Sequence, residues 1–333
     1  MAETDGVETA GPAENRKDRA RGRDANSPGE IPAKGLKDVF WRVVTEVNDD
    51  RVSLIAAGVT YYLLLALFPA LGALVALYGF IADPASIASH INVLGSILPP
   101  GSLDIILGQL AALTQQKNST LSFAFFGGLL VALWSANNGI KALFDAMNIA
   151  YGETEKRGLI KLNLLSLLFT FGALLVAVVL IFAIGVIPAI LAYLWLDRWA
   201  ELLASLGRWP VILAIVGAGI TLISRYGPSR EPAKLRWLTW GAALSTLLWL
   251  ATSFLFSFYL ENFANYNATY GTLGALIGFM VWTWISVVIV IVGAEVNAEL
   301  EHQTARDSTT GSPRPMGERG AYVADTLGAE AGR

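Results

Sequence analysis

Few residues of this 333-residue chain have side chains that support chemistry, and most of these sit at the ends of apolar runs. The sharpest group is Gly293, Glu295, Asn297 and Glu299, at alternate positions where a long apolar run gives out. Acidic residues in membrane-crossing segments commonly mark ion or proton paths. Glu295 is the acidic residue nearest the apolar core of its run; the structural alternative is a neutralising pair with Lys141 or Arg157. A second group is Trp134, Ser135, Asn137, Asn138, Lys141 and Asp145. Asn138 and Lys141 are three apart and share a helical face. Such polar groups either line a cavity or join helices by hydrogen bonds of about 0.6 kcal/mol each. A third feature is Pro69 inside an apolar run, with Gly58, Gly72 and Gly79 around it. Proline frees the carbonyl four residues back, here that of Leu65. That predicts either a broken helix lining a substrate path or a kink satisfied by packing.

Other chemistries find no footing. The chain has no cysteine, and its two histidines, His90 and His302, stand at no metal-ligand spacing. HExxH, the phosphate-binding P-loop and GxSxG are all absent. No catalytic group, metal or cofactor is therefore expected. A net charge of −3 gives no ground for nucleic acid as a partner. Membrane lipids are the expected partners, and a homo-oligomer is compatible with the sequence.

The elements that must position these residues are membrane helices. Hydrophobic residues make up 54% of the chain and charged ones only 15%, gathered into runs long enough to cross a bilayer. The expected fold class is an all-α polytopic membrane protein with about six transmembrane helices. Its segments run over about Val52–Ala82, Leu121–Ile140, Leu162–Leu194, Trp209–Ser224, Trp237–Leu260 and Thr272–Ala294. The fourth is short for a crossing. Gly271, Gly274 and Gly278 run along one side of the sixth, where small residues let helices approach closely. Between the first two segments, Ile87, Ile91, Leu94 and Leu98, then Leu103, Ile106, Leu107 and Leu110, predict two short amphipathic helices in an outer loop. Residues 1–35 and 302–333 read as disordered tails flanking a membrane domain over 36–301.

Lysine and arginine give an orientation. Lys141, Lys156, Arg157, Lys161, Arg225, Arg230, Lys234 and Arg236 fall in one set of loops, against Lys117, Arg198 and Arg208 in the other. The positive-inside rule places the richer set, and with it both termini, in the cytoplasm.

Three stretches carry a family resemblance: AAGVTYYLLLALFPA from Ala56, WSANNGIKALFDAMNIAYGE from Trp134, and YNATYGTLGALIGFMVWTWISVVIVIVGAEVNAELE from Tyr266. Together they resemble the YihY / virulence factor BrkB family over about residues 36–301. The resemblance implies a bacterial inner-membrane protein with six spans and a loosely defined transport or envelope role. Its motif falls on Tyr62, Pro69, Tyr151, Gly152, Tyr266, Tyr270, Gly271, Gly293, Glu295 and Asn297. Some relatives carry a ribonuclease BN label, for which this sequence offers no metal or acid–base constellation. The expected cavity or transport positions are Tyr62, Pro69, Trp134, Asn138, Tyr266, Tyr270, Glu295 and Asn297. Gly271, Gly274, Gly278 and Gly293 are expected to pack helices. The leading functional expectation is a transporter or envelope-lipid-handling protein with an inter-helix cavity. The alternative is a non-transporting scaffold that binds an envelope partner through the outer loop.

Overall fold

The fold is seen in a computed structural model, which describes residues 19–81, 118–181, 198–262 and 274–331. It is all-helical among these residues apart from one isolated bridge between Ala233 and Thr309. The long helices are α1 (Ala33–Asp49), α2 (Val52–Ile81), α3 (Asn118–Ala150), α4 (Leu159–Ile181), α5 (Arg198–Tyr226), α6 (Leu235–Asn262) and α7 (Gly274–Glu301). A short helix, α8 (Tyr322–Asp325), follows near the end.

Helices α2 to α7 coincide one for one with the six expected segments. Their apolar residues go all the way round, which suits helices surrounded by lipid and neighbours rather than by water. Among the described residues, four helices are long and apolar enough to cross a membrane, and a fifth qualifies if α1 and α2 are counted as one bent element. Large apolar side chains stand on the outside, among them Leu164, Leu168, Leu175, Leu247 and Leu255. The interior instead holds small and polar groups such as Ala294, Ala298, Ser166 and Ser245. These sit beside large apolar groups such as Phe144, Met147 and Ile291, and in a lipid surround such close backbone approach and polar contacts help hold helices together.

Helix α2 packs along α3, α6 along α7, and α7 also meets α1 and α2. The tightest approach is between α6 and α7. A methyl group on Gly241 would collide with the Gly293 carbonyl and the Asn297 side chain. One on Gly293 would collide with Ser245. The Ser245 hydroxyl donates to the Ile289 carbonyl at 2.9 Å, and Asn297 Oδ1 accepts the Gly241 N–H at 2.8 Å. Removing two side chains thus lets two side-chain-to-backbone bonds cross the helix pair.

Several boundaries differ from the sequence expectation. Helix α2 continues through Pro69, which is half-buried, so the first segment is not broken there. The break lies earlier, between α1 and α2, where the chain bends by 57°. Arg51 takes a left-handed conformation at that corner, with φ 51°. α5 starts at Arg198 and is 29 residues long, although its span-like apolar stretch is only Trp209–Tyr226, close to the short segment expected. α3 and α7 both run past the ends of their apolar stretches, to Ala150 and Glu301. Their polar groups are therefore helical. The two outer-loop helices, Tyr266, Tyr270, Gly271 and the end of the third segment lie outside the described residues.

The tails are the largest correction. Residues 19–31 and 302–331 are packed into a collar over one end of the bundle. The Gln303 amide donates to the Arg21 carbonyl at 2.9 Å, and the Thr304 hydroxyl to that of Ala25 at 2.6 Å. Arg23 donates to the Gly328 carbonyl at 2.8 Å. The Lys234 N–H reaches the Ser308 carbonyl at 2.8 Å, tying the collar to the α5–α6 connection. Composition failed as a guide because these segments carry no apolar run of their own. Their order comes from partners far away in sequence, which satisfy their charges and backbone groups.

Candidate functional site

Beneath the collar, the last two turns of α7 carry Glu295, Asn297, Glu299 and Glu301. Residues four apart in a helix are stacked on one face. Glu295 and Glu299 therefore face one way, and Asn297 and Glu301 the other. All four are buried.

The first face meets α1 and the corner after it. Arg42 donates to the Glu299 carboxylate through Nε and to the Glu299 carbonyl at 3.0 Å through Nη2. The same guanidinium reaches Gln303 Oε1 at 2.9 Å and the Ala329 carbonyl at 2.8 Å. One arginine thus clamps α1, α7 and the collar together. Glu295 has no such cation. The charged groups that face it are the carboxyls of Asp50, Glu46 and Glu299. Glu295 Oε1 has no partner.

The second face meets the ends of α3 and α6. Glu301 pairs with Arg230 at 2.7 Å, with side chains 0% and 1% exposed. The Arg230 guanidinium also lies 4.7 Å from the centre of the Tyr151 ring, a cation–π geometry. Burial by itself would lower the Arg230 pKa, but Glu301 and its neighbours leave it raised, so the cation persists. Burial pushes the Tyr151 phenol well above its ordinary range, with Glu301 adding to the effect. The Tyr151 hydroxyl lies beside the Asn297 amide. Even so, Tyr151 Oη, Asn297 Nδ2, Arg230 Nη1 and Glu301 Oε1 complete no hydrogen bond of normal geometry. The site is thus a buried polar layer with two ion pairs, Arg42–Glu299 and Arg230–Glu301, a surplus carboxyl and several unspent donors and acceptors.

Sequence reasoning located part of this layer. Glu295 and Asn297 are in it, on opposite faces of α7. Asn138 is half-buried on α3, and its neighbour Asn137 is buried with an unpartnered Oδ1. Trp134 is 65% exposed, so it belongs to the outer surface of the bundle rather than to an interior. Tyr62 is at the edge, with its Cβ near Gly139. Gly274 and Gly278 are buried, and a methyl group on Gly278 would meet only Leu260, at ordinary contact distance. Neither cation expected to face Glu295 pairs with it. Arg157 is held by Glu155 at 2.6 Å and by the Tyr226 and Gly227 carbonyls at 3.0 and 2.7 Å. Its guanidinium also lies 5.1 Å from the Phe144 ring centre. Missed altogether were Asp50, Arg42, Arg230 and Glu301, charged residues in segments that read as connections or tails.

Long helices with apolar outer surfaces, and a buried charged layer at one covered end, define a polytopic α-helical membrane protein. Residues 43–317 match the family described as Virulence factor BrkB, and the chain belongs to that family. A Bacillus subtilis protein named as ribonuclease-like, YfkH, is 32% identical over 80% of this chain and 94% of its own length. A UPF0761 membrane protein of Neisseria meningitidis serogroup B is 25% identical, covering 79% of this chain and 63% of the relative. A UPF0761 membrane protein of Coxiella burnetii is 26% identical over 73% of this chain and 85% of the relative. No solved structure matches.

Proposed function

We propose that this protein is an inner-membrane transporter or envelope-lipid-handling protein, with the layer around Glu295, Asn297 and Tyr151 lining its path. The collar end, with both termini, faces the cytoplasm in this reading, as its lysines and arginines favour. One observation carries the proposal: Glu295 Oε1, Glu301 Oε1, Tyr151 Oη and Asn297 Nδ2 are buried without partners at one level of the bundle. Each such orphan costs about 1–3 kcal/mol. A bundle that served only as scaffold would gain by replacing them with apolar side chains.

Reconstitution tests this. Purified protein goes into liposomes carrying a fluorescent phosphatidylglycerol and an internal pH dye, so that lipid movement and proton flux are read together. Wild type should move at least one of the two, and Glu295→Gln and Tyr151→Phe should each cut that movement at least tenfold with the fold intact. Wild-type movement no faster than in empty liposomes removes the transport reading, and unchanged movement in both variants removes the site. The ribonuclease-like name of the Bacillus relative is a statement about that protein. In this chain no group of three or more His, Asp or Glu side chains could hold a metal among the described residues.

A further inference from the structure

Helix α1 has two faces of opposite character. Gly35, Asp38, Val39 and Val43 are buried. Val39 and Val43 pack with Leu300 of α7, Trp237 of α6 and Ala25 and Ile31 of the collar. The opposite face is apolar and uncovered. Leu36, Phe40 and Val44, at i, i+4 and i+8, are 36%, 60% and 38% exposed, and Trp41 beside them is 51% exposed. The Phe40 and Trp41 rings meet edge to face at 5.5 Å.

Charge on α1 is divided along the same line. Its acidic groups and Arg42 turn away from the apolar stripe. Asp38 pairs with Arg21 and accepts the Ala331 N–H at 3.0 Å, and Arg42 is taken by Glu299. Lys34 and Lys37 flank the stripe on the Trp41 side. Both are exposed, and neither forms an ion pair among the described residues. An apolar stripe edged by lysine and tryptophan suits the boundary of a bilayer, where stems lie among acyl chains and cationic heads among phosphates.

The bend supplies the direction. α2 is an apolar helix of 30 residues, and α1 departs from it by 57° at Arg51. Seventeen residues then extend about 25 Å away from the α2 entry point. Exposed apolar residues resume beyond the corner at Leu54, Tyr61 and Leu65. We propose that α1 lies in the interface of the leaflet on the collar side, with Leu36, Phe40 and Val44 among acyl chains and Lys34 and Lys37 on the phosphates of anionic phospholipids.

The chain has no cysteine, so single labelling sites can be introduced without a background. Full-length Phe40→Cys and Thr45→Cys, each carrying a nitroxide, are placed in nanodiscs of phosphatidylcholine and phosphatidylglycerol. The label at 40 should be relaxed mainly by oxygen, and the label at 45 mainly by a water-soluble nickel chelate. Equal access of the chelate to both overturns the proposal. So does dipolar broadening of the label at 40 in discs holding two copies, which would make this face a dimer contact. Native mass spectrometry on Lys34→Gln and Lys37→Gln then reads the charge. Retention of phosphatidylglycerol over phosphatidylcholine should fall about fivefold for each lysine removed. Unchanged retention in the double variant refutes the anionic headgroup as partner.

Discussion

The Arg230–Glu301 pair offers the most demanding test of the buried layer. Its side chains are 1% and 0% exposed, and the contact is a single N–O approach of 2.7 Å. Removing one member strands the other charge in a site that water does not reach, at a cost of about 3–5 kcal/mol. Arg230→Met also loses the cation over the Tyr151 ring, a desolvated contact of about 2 kcal/mol. The two losses overlap, so about 4–5 kcal/mol is expected. That corresponds to a fall in melting midpoint on the order of 10 °C. Glu301→Leu alone should do comparable harm by stranding Arg230. The double variant, Arg230→Met with Glu301→Leu, removes both charges at once and should return to within about 1 kcal/mol of wild type, or exceed it. Tryptophan fluorescence during thermal or SDS unfolding in one detergent reads all four proteins. If each single variant costs under 1 kcal/mol, or the double variant loses the sum of the singles, the desolvated-pair argument is wrong.

Gly241→Ala should destabilise by about 3 kcal/mol, because its methyl group meets the Gly293 carbonyl and disturbs the bond from Gly241 N–H to Asn297; a midpoint unchanged in the same unfolding assay would contradict that close approach. Gly152→Ala should release the collar, since Gly152 has φ +62° and an added Cβ would sit 2.6 Å from the Tyr322 ring; limited proteolysis should cut after residue 302 in the variant and spare wild type. Glu155 predicts a pH effect. Hydrogen bonds from Arg157 hold its carboxyl down to about 2. A carboxylate lowered in the folded state contributes stability above its ordinary value of 4.5, and loses it as pH falls through about 2. Glu155→Gln should thus be about 1–2 kcal/mol less stable than wild type at pH 7, with the gap narrowing below about pH 4.5; a gap that does not change with pH would show that the Arg157 contact is not the source.

The membrane class, the apolar segments and the place of Glu295 and Asn297 at the end of the last one were legible in the sequence. Each rests on local signals: the length of an apolar run, the scarcity of charge within it, and an acidic residue at its edge. Hydrophobic length sets whether a helix can cross a bilayer, whatever it packs against. Sequence alone did not show which polar groups meet. Arg157 was offered as a partner for Glu295 in that reading and Asp50 was not, yet Arg157 serves Glu155 and two carbonyls. Trp134 read as part of a polar cluster, and helical rotation puts it on the outside. The tails read as disordered because disorder was judged from their own composition. Arg21, Arg23, Gln303 and Thr304 are ordered by groups up to 305 residues away, whose distance in space no local pattern encodes. The sequence by itself determined which segments are long and apolar enough to suit a membrane and which carry charge at their ends. Tertiary structure alone decided which of those charges are neutralised, because pairing depends on the rotation and depth of each helix against its neighbours.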